Sequence, residues 1–198
     1  MSTTFTRLQA VNIMLSVVAQ APVETLGTST NVYVSTAENI LDEVIRELQA
    51  FDWWFAREKE VVLSPDGDGY IAVGNNIVSL DDSYGYYNLT IRDGFVYDLD
   101  NHTDVFSNSF TVDIIYALEW DSLPLAAKNY AVKRATRILN GRLFRDSQVA
   151  REAAFDEQRA WEALVVENSR QADYNLMNNP ELARAMGSGR SVVDWGSF

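Results

Sequence analysis

The sequence predicts an α+β fold in which an antiparallel helical bundle carries an inserted small antiparallel β domain and an extended C-terminal arm. Three observations lead there. Apolar residues recur every three to four positions up to residue 51, the period drops to two between residues 60 and 118, and helical spacing returns after Pro124. The corresponding division is a helical bundle formed by residues 1–56 and 122–178, a β domain at 57–121 and an arm at 179–198.

Each element has its own signal. Phe5, Leu8, Asn12, Leu15 and Val18-Ala19 follow helical spacing and Pro22 stops the pattern, which places a first helix over about 4–20. A Gly/Thr/Ser/Asn loop at 27–31 precedes Ser35 and Glu38, an S-x-x-E capping pattern, and then Ala37, Ile40, Leu41, Val44, Ile45, Leu48 and Phe51 mark the second helix. It runs into Phe51-Asp52-Trp53-Trp54-Phe55, an aromatic junction that reads either as a core wedge or as an exposed platform for a partner. Candidate strands follow at Val61–Leu63, Tyr70–Val73, Asn76–Leu80, Tyr87–Arg92, Phe95–Leu99 and Phe110–Ala117. Asp93-Gly94 between two of them predicts a type I′ hairpin, because both central residues of that turn need positive φ.

Ser122 and Pro124 read as the N-cap and first turn of a third helix. At 100° per residue, Leu125, Val132, Ala135, Leu139 and Leu143 form an apolar stripe, and Lys133, Arg134, Arg137 and Arg145 form a cationic face opposite. Ser147 reads as the cap of a fourth helix of about 25 residues carrying Phe155, Trp161, Leu164 and Val165, which Asn178-Asn179-Pro180 interrupts. A short helical piece at 181–186 and a Gly/Ser stretch then lead to Val192, Val193, Trp195 and Phe198, the apolar anchors of the arm. No internal repeat is evident.

Composition narrows the function. The 198 residues carry 28 acids against 16 bases, a net charge of -12, with 47% hydrophobic residues, which suits a packed domain and excludes disorder throughout. With no cysteine and a single His102, disulfides, thiolate nucleophiles, iron–sulfur clusters and Cys- or His-pair metal sites are excluded, and a His-dependent triad is improbable. The N-terminal apolar stretch is broken by polar residues at helical spacing and resembles neither a secretory signal nor a membrane span. Charge is unevenly placed: residues 61–122 hold 11 acids and one base, whereas 123–170 hold 6 acids and 9 bases. The acidic block repels nucleic-acid phosphates and anionic membrane, so only the basic segment could meet DNA.

Catalytic and metal motifs are missing. Asp66-Gly67-Asp68-Gly69 and Asp98-Leu99-Asp100-Asn101-His102-Thr103-Asp104 look like oxygen-rich metal loops, but an EF-hand beginning at Asp98 needs Gly and Glu where Thr103 and Ser109 stand. Both read as Asx-rich turns. No G-x-S-x-G, phosphate-binding glycine loop or H-E-x-x-H occurs, and no cofactor is expected. The cations of the third helix read as partners of acids in the β domain or another subunit, as a partner-protein surface, or as DNA contacts.

The order of parts resembles the tail tubular protein A family of T7-like short-tailed phages. The similarity runs from about Leu8 to Asn175 and is carried by Ala10-Val11-Asn12-Ile13-Met14-Leu15 with Pro22-Val23, by Ala37–Trp54, by Gly94-Phe95-Val96-Tyr97-Asp98, by Val112-Asp113-Ile114-Ile115, and by Leu123-Pro124 leading to Ala135-Thr136-Arg137. The resemblance implies a structural adaptor of the virion tail and no enzyme: a dodecameric ring beneath the portal, joined to the nozzle protein (tail tubular protein B), with tail fibres docking nearby and genomic DNA passing through. Val192, Val193, Trp195 and Phe198 would then meet the portal, Lys133, Arg134, Arg137 and Arg145 a neighbouring subunit or partner, and Trp53, Trp54 and Phe55 the helix-to-strand junction. A tail-associated hydrolase acting on host surface polysaccharide through acids of the β insert is the alternative, and a DNA-binding module using the third helix is a weaker one.

Overall fold

The computed structural model describes residues 5–27 and 31–177, with side chains described to residue 171. It is a mixed helix and sheet structure with the element order α1 (Arg7–Val17), α2 (Val32–Gln49), β1 (Arg57–Leu63), β2 (Ile77–Asp82), β3 (Leu89–Arg92), β4 (Phe95–Asp98), β5 (Phe110–Tyr116), α3 (Leu125–Leu139) and α4 (Ser147–Met177). The predicted arm, and with it the short helical piece at 181–186, lies outside the described residues.

α1 is shorter than predicted and better capped. Thr6 Oγ1 accepts from Gln9 N–H while Gln9 Oε1 accepts from Thr6 N–H, a reciprocal pair at one helix end. The helix stops before Pro22 because Ala19 takes a left-handed conformation. Asn12 is only partly buried, and its carboxamide clamps both backbone groups of Val23 at 2.8 and 2.9 Å. That contact fixes the chain where it turns away from α1. α2 begins one turn earlier than the Ser35 signal suggests: Asn31 is the N-cap, accepting from Tyr33 N–H, and Ser35 bonds back to Val32 C=O within the first turn. Asn outranks a Ser placed inside the turn as a cap.

α3 also starts differently from its prediction. Ser122 closes a short 3₁₀ turn at Trp120–Ser122, and Pro124, extended at φ -65°, occupies the capping position without a side-chain bond. Val132, Ala135 and Leu139 are buried as the stripe requires, but Leu125 is 59% exposed and Leu143 is exposed as well. The reason for Leu143 is that regular α3 ends at Leu139 and a π turn at Asn140–Phe144 changes the angular step. Asp146, not Ser147, caps α4, accepting from the N–H groups of Gln148 and Val149.

α3 lies between the other helices and packs on α1, α2 and α4. Their shared core comprises Val11, Met14 and Leu15 of α1, Ile40, Leu41 and Val44 of α2, Ala131, Ala135 and Leu139 of α3, and Leu164 of α4. A second core, with no residue in common, gathers Ile71, Leu80, Leu89, Val96, Phe106, Val112 and Ile114 from the strands and their loops. Where the chain passes between them, Gln49 at the end of α2 accepts from Leu118 N–H and donates to Leu118 C=O at 3.0 Å, which satisfies both backbone groups of a residue outside any ladder.

The strands form a three-stranded antiparallel sheet in the order β1-β5-β2 and a separate β3-β4 hairpin. Asp93 and Gly94 have φ of 51° and 82°, the positive values that the Asp-Gly hairpin signal demanded. The predicted strand at Tyr70–Val73 is not formed; isolated bridges join Tyr70 to Val105 and Ala72 to Phe95 instead. Outer strand β1 carries Arg57-Glu58-Lys59-Glu60 and breaks register between Glu58 and Val61, where Glu60 takes φ 56°. Charges and a bulge of this kind discourage pairing with another strand. Asp113 of β5 holds the irregularity, accepting from Glu60 N–H, from Ser83 Oγ and from Arg57.

Asp98 closes the hairpin from inside. It is 2% exposed, and its two oxygens accept from Asp100 N–H, Asn101 N–H and the Asn101 amide at 2.7–3.2 Å. Burial alone would push this carboxyl up, but the hydrogen bonds from Asn101 and Asp100, with His102 nearby, hold it below its ordinary value. A carboxyl depressed in the folded state stabilises the fold above the unfolded carboxylate range near pH ~4 and loses that contribution as pH falls through its folded value. Asp98→Asn should therefore cost about 1–3 kcal/mol at pH 7. Urea unfolding of both proteins at pH 7 and at pH 3 checks this: the gap between them should narrow at the lower pH.

Candidate functional site

The cationic face of α3 is the most chemically specific feature of the sequence, and the structure shows what occupies it. Lys133 reaches Asp156 of α4 at 2.7 Å. Arg134 is shared between Glu47 of α2 at 2.8 Å and Glu157 of α4 at 3.3 Å, and Arg137 grips Glu157 with both Nε and Nη2. The acids come from α2 and α4, which corrects the expectation that the β insert would supply them. The cause is placement: α3 is flanked by two helices that each present carboxylates toward it, whereas the acids of the strands sit around a different core.

Arg145 is not part of this face. It follows the π turn in a left-handed conformation with φ 56°, exposed, and no ion pair involves it among the described residues. Its place is taken by Arg142, which sequence reasoning passed over and which makes a two-point contact with Glu43 of α2 at 2.8 Å in each arm. Glu43 and Glu47 are one helical turn apart, so α2 offers its acids to Arg142 and Arg134 in register. The i, i+4 spacing of those glutamates was the available signal.

Hydrogen bonding shifts the ionisation of these arginines and of Glu43. The Arg142 side chain is the main influence holding Glu43 below its ordinary value, and bonds to Glu47 and to Glu157 raise Arg134 and Arg137 respectively. Glu157 is the pivotal acid, with only 13% of its side chain exposed and two guanidinium groups upon it. It matters because α4 buries few apolar side chains: Ala153 and Leu164 alone are fully buried among its described residues.

Three residues of the aromatic junction form a wedge, whereas Phe51, expected on the apolar stripe of α2, lies beyond the helix end and is 60% exposed. Trp53 is buried, donates from Nε1 to Leu48 C=O at 2.7 Å, stacks with Phe55 and meets Trp161 of α4 edge-on at 5.6 Å. Trp54 and Phe55 are partly buried against the same core, and Trp54 N–H donates to Asn168 of α4. Trp161 also packs on Tyr130 of α3, so one aromatic group ties the end of α2, α3 and α4 together. The exposed-platform alternative for Trp53, Trp54 and Phe55 is not what the fold uses.

Remaining features offer structure in place of chemistry. Asp66 accepts from the N–H groups of Asp68 and Tyr70, and with Asp98 it accounts for the two Asp-rich loops as turns. A shallow α3/α4 cleft of about 720 Å³ is lined by Leu125, Ala126, Asn129, Arg159, Ala160 and the Lys133–Asp156 pair. No group of three His, Cys, Asp or Glu residues converges as a metal site among the described residues, and no helix there is long and apolar enough to cross a membrane. The predicted anchors Val192, Val193, Trp195 and Phe198 lie outside the described residues.

The ion pairs differ in burial, which sets their worth. Glu157→Gln leaves Arg134 and Arg137 facing a neutral amide and should cost about 2 kcal/mol, lowering the melting midpoint by about 4–8 °C. Asp156→Asn breaks a pair whose members are both about half in solvent and should cost less than about 0.5 kcal/mol. Thermal and urea unfolding of the two variants measures the contrast.

Comparison with known proteins places this packed fold in a family. The family model described as tail tubular protein matches residues 8–174. A curated relative, tail tubular protein A of Klebsiella phage KP34, is 28% identical over 130 residues, covering 65% of this chain and 68% of its own length. The chain belongs to the tail tubular protein family, and its place is the tail of the phage virion.

Proposed function

We propose that this chain is one subunit of a dodecameric adaptor ring that joins the portal to the nozzle protein, offers a docking place for tail fibres and lets genomic DNA pass without sequence-specific binding. The role is mechanical connection rather than catalysis. The observation that carries the reading is a family match spanning residues 8–174, both packed cores included. The helical residues 1–56 and 122–178 and the arm at 179–198 face the portal, and the strand-rich residues 57–121 face the nozzle or fibres.

Physical support comes from how the charge is used. A ring multiplies a net charge of -12 per subunit, so repulsion must be offset by contacts between neighbours and with other tail proteins. Arg145, exposed and outside the internal ion-pair network, is the member of the predicted cationic set best placed for such a contact. Lys133, Arg134 and Arg137 act on the interface indirectly, by fixing α4 on the bundle. Val192, Val193, Trp195 and Phe198 supply the arm's apolar anchors on the portal.

The test is the mass of the purified protein alone and after mixing with the portal and nozzle proteins of its phage. A ring, formed alone or on a partner, is the expected result. Deleting residues 187–198 should weaken portal docking while leaving the subunit's melting midpoint unchanged. A persistent monomer indifferent to both proteins rejects the adaptor role, and full portal docking by the deletant rejects the arm's part in it.

A further inference from the structure

The loop between β2 and β3 presents two tyrosines in an unusual setting. Tyr84 is 63% and Tyr86 82% exposed, with ring centroids 6.3 Å apart, while Tyr87 turns inward onto Phe106 and Phe110. The loop is built to hold them there. Asp82 Oδ2 accepts from the N–H groups of both Tyr86 and Tyr87, Gly85 N–H donates to Asp82 C=O with Gly85 at φ 73°, and Ser83 is tied through its N–H to Thr111 and through its hydroxyl to Asp113. Two large aromatic side chains held in water by a well-bonded loop contribute nothing to either core.

The loop and the chain on either side of it are acidic. Asp81 is exposed three residues before Tyr84, and Asp100 is hydrogen-bonded to Asn88 two residues beyond Tyr86. The only base in residues 61–122, Arg92, is already placed over Tyr97 at 3.9 Å. Tyrosine faces and carboxylates together favour guanidinium and ammonium groups, through the ring quadrupole and through charge. Tyrosine also gives contact area at a small entropic cost, which is why it is frequent at the centres of protein interfaces. A second copy of this chain is a weaker match, because its Lys133, Arg134, Arg137 and Arg142 are engaged by its own α2 and α4, and its exposed Arg145 is the cation already assigned to contacts between neighbouring subunits. Phosphate-bearing surfaces are repelled.

We infer that the Tyr84/Tyr86 loop docks onto an arginine- or lysine-bearing surface of another tail protein. This rests on the adaptor reading and names the residues of the strand-rich part that make the contact.

The experiment uses the full chain with the nozzle and tail-fibre proteins of the same phage, each titrated separately at low and high salt. The wild-type protein should bind at least one of them, more weakly as salt rises, and Tyr84→Ser with Tyr86→Ser should weaken that binding by about 30-fold or more. The double variant should keep the wild-type melting midpoint and portal binding. Asp81→Lys, an exposed charge reversal that leaves the tyrosines in place, should weaken the same complex and reduce its salt dependence. Wild-type affinity in the double serine variant, or binding by the wild-type protein that is indifferent to salt, overturns the inference while leaving the adaptor role standing. Failure of the wild-type protein to bind portal, nozzle and fibre alike overturns both.

Discussion

Everything in the helical part depends on α3 having neighbours on both its apolar and its charged side. Its small residues Ala127, Ala131 and Ala135 let α1 and α2 come close, and its cations receive acids from α2 and α4. Hydrophobic burial alone would not hold the described part of α4, since so few of its apolar side chains there are buried that it gains little from area. Aromatic contact through Trp161 and the shared carboxylate of Glu157 make up the difference. Ion pairs at a half-buried seam add less energy than they add orientation, because an acid serving two fixed guanidinium groups has few alternative arrangements.

Satisfying the cations internally has a consequence for the rest of the chain. Had α3 kept its charge free, acidic and basic parts of adjacent copies could have complemented one another simply. Instead, among the described residues, the acids of the strand-rich part make no ion pair with Lys or Arg apart from Asp113 with Arg57. Several of them are occupied in holding turns: Asp66, Asp82 and Asp98 each accept two or more backbone N–H bonds. Acidity there is partly the chemical cost of a loop-rich structure, in which carboxylates stand in for the ladder bonds that short strands cannot provide.

Helices and the Asp93-Gly94 hairpin were legible in the sequence because their signals are local: periodicity, and a turn that needs positive φ. Helix starts were less so. Asn31 and Asp146 each lie near a second plausible cap, Ser35 and Ser147, and only the geometry of the incoming chain decides which oxygen reaches the free N–H groups. Tyr70–Val73 alternates like a strand yet forms single bridges, one to Val105 and one to Phe95 at the start of β4. The cationic face was visible as a set of residues, but its partners depend on which helices flank α3, information that spacing within one helix does not hold. The same limit hid Arg142, whose partner Glu43 is 99 positions away.

Two of the aromatic groups among the described residues show why composition cannot assign a role. Trp53, Trp54 and Phe55 follow a long amphipathic helix and end at its core, where the indole N–H of Trp53 finds the carbonyl of Leu48. Tyr84 and Tyr86 flank a glycine in a loop whose backbone is bonded to Asp82, and neither ring belongs to the core of the strands. Once Tyr87 takes the inward position, alternation along the chain sends Tyr86 outward, and the left-handed Gly85 turns Tyr84 out beside it. Exposure of the pair follows from backbone hydrogen bonding, and the adaptor role proposed above would use such a fixed aromatic edge.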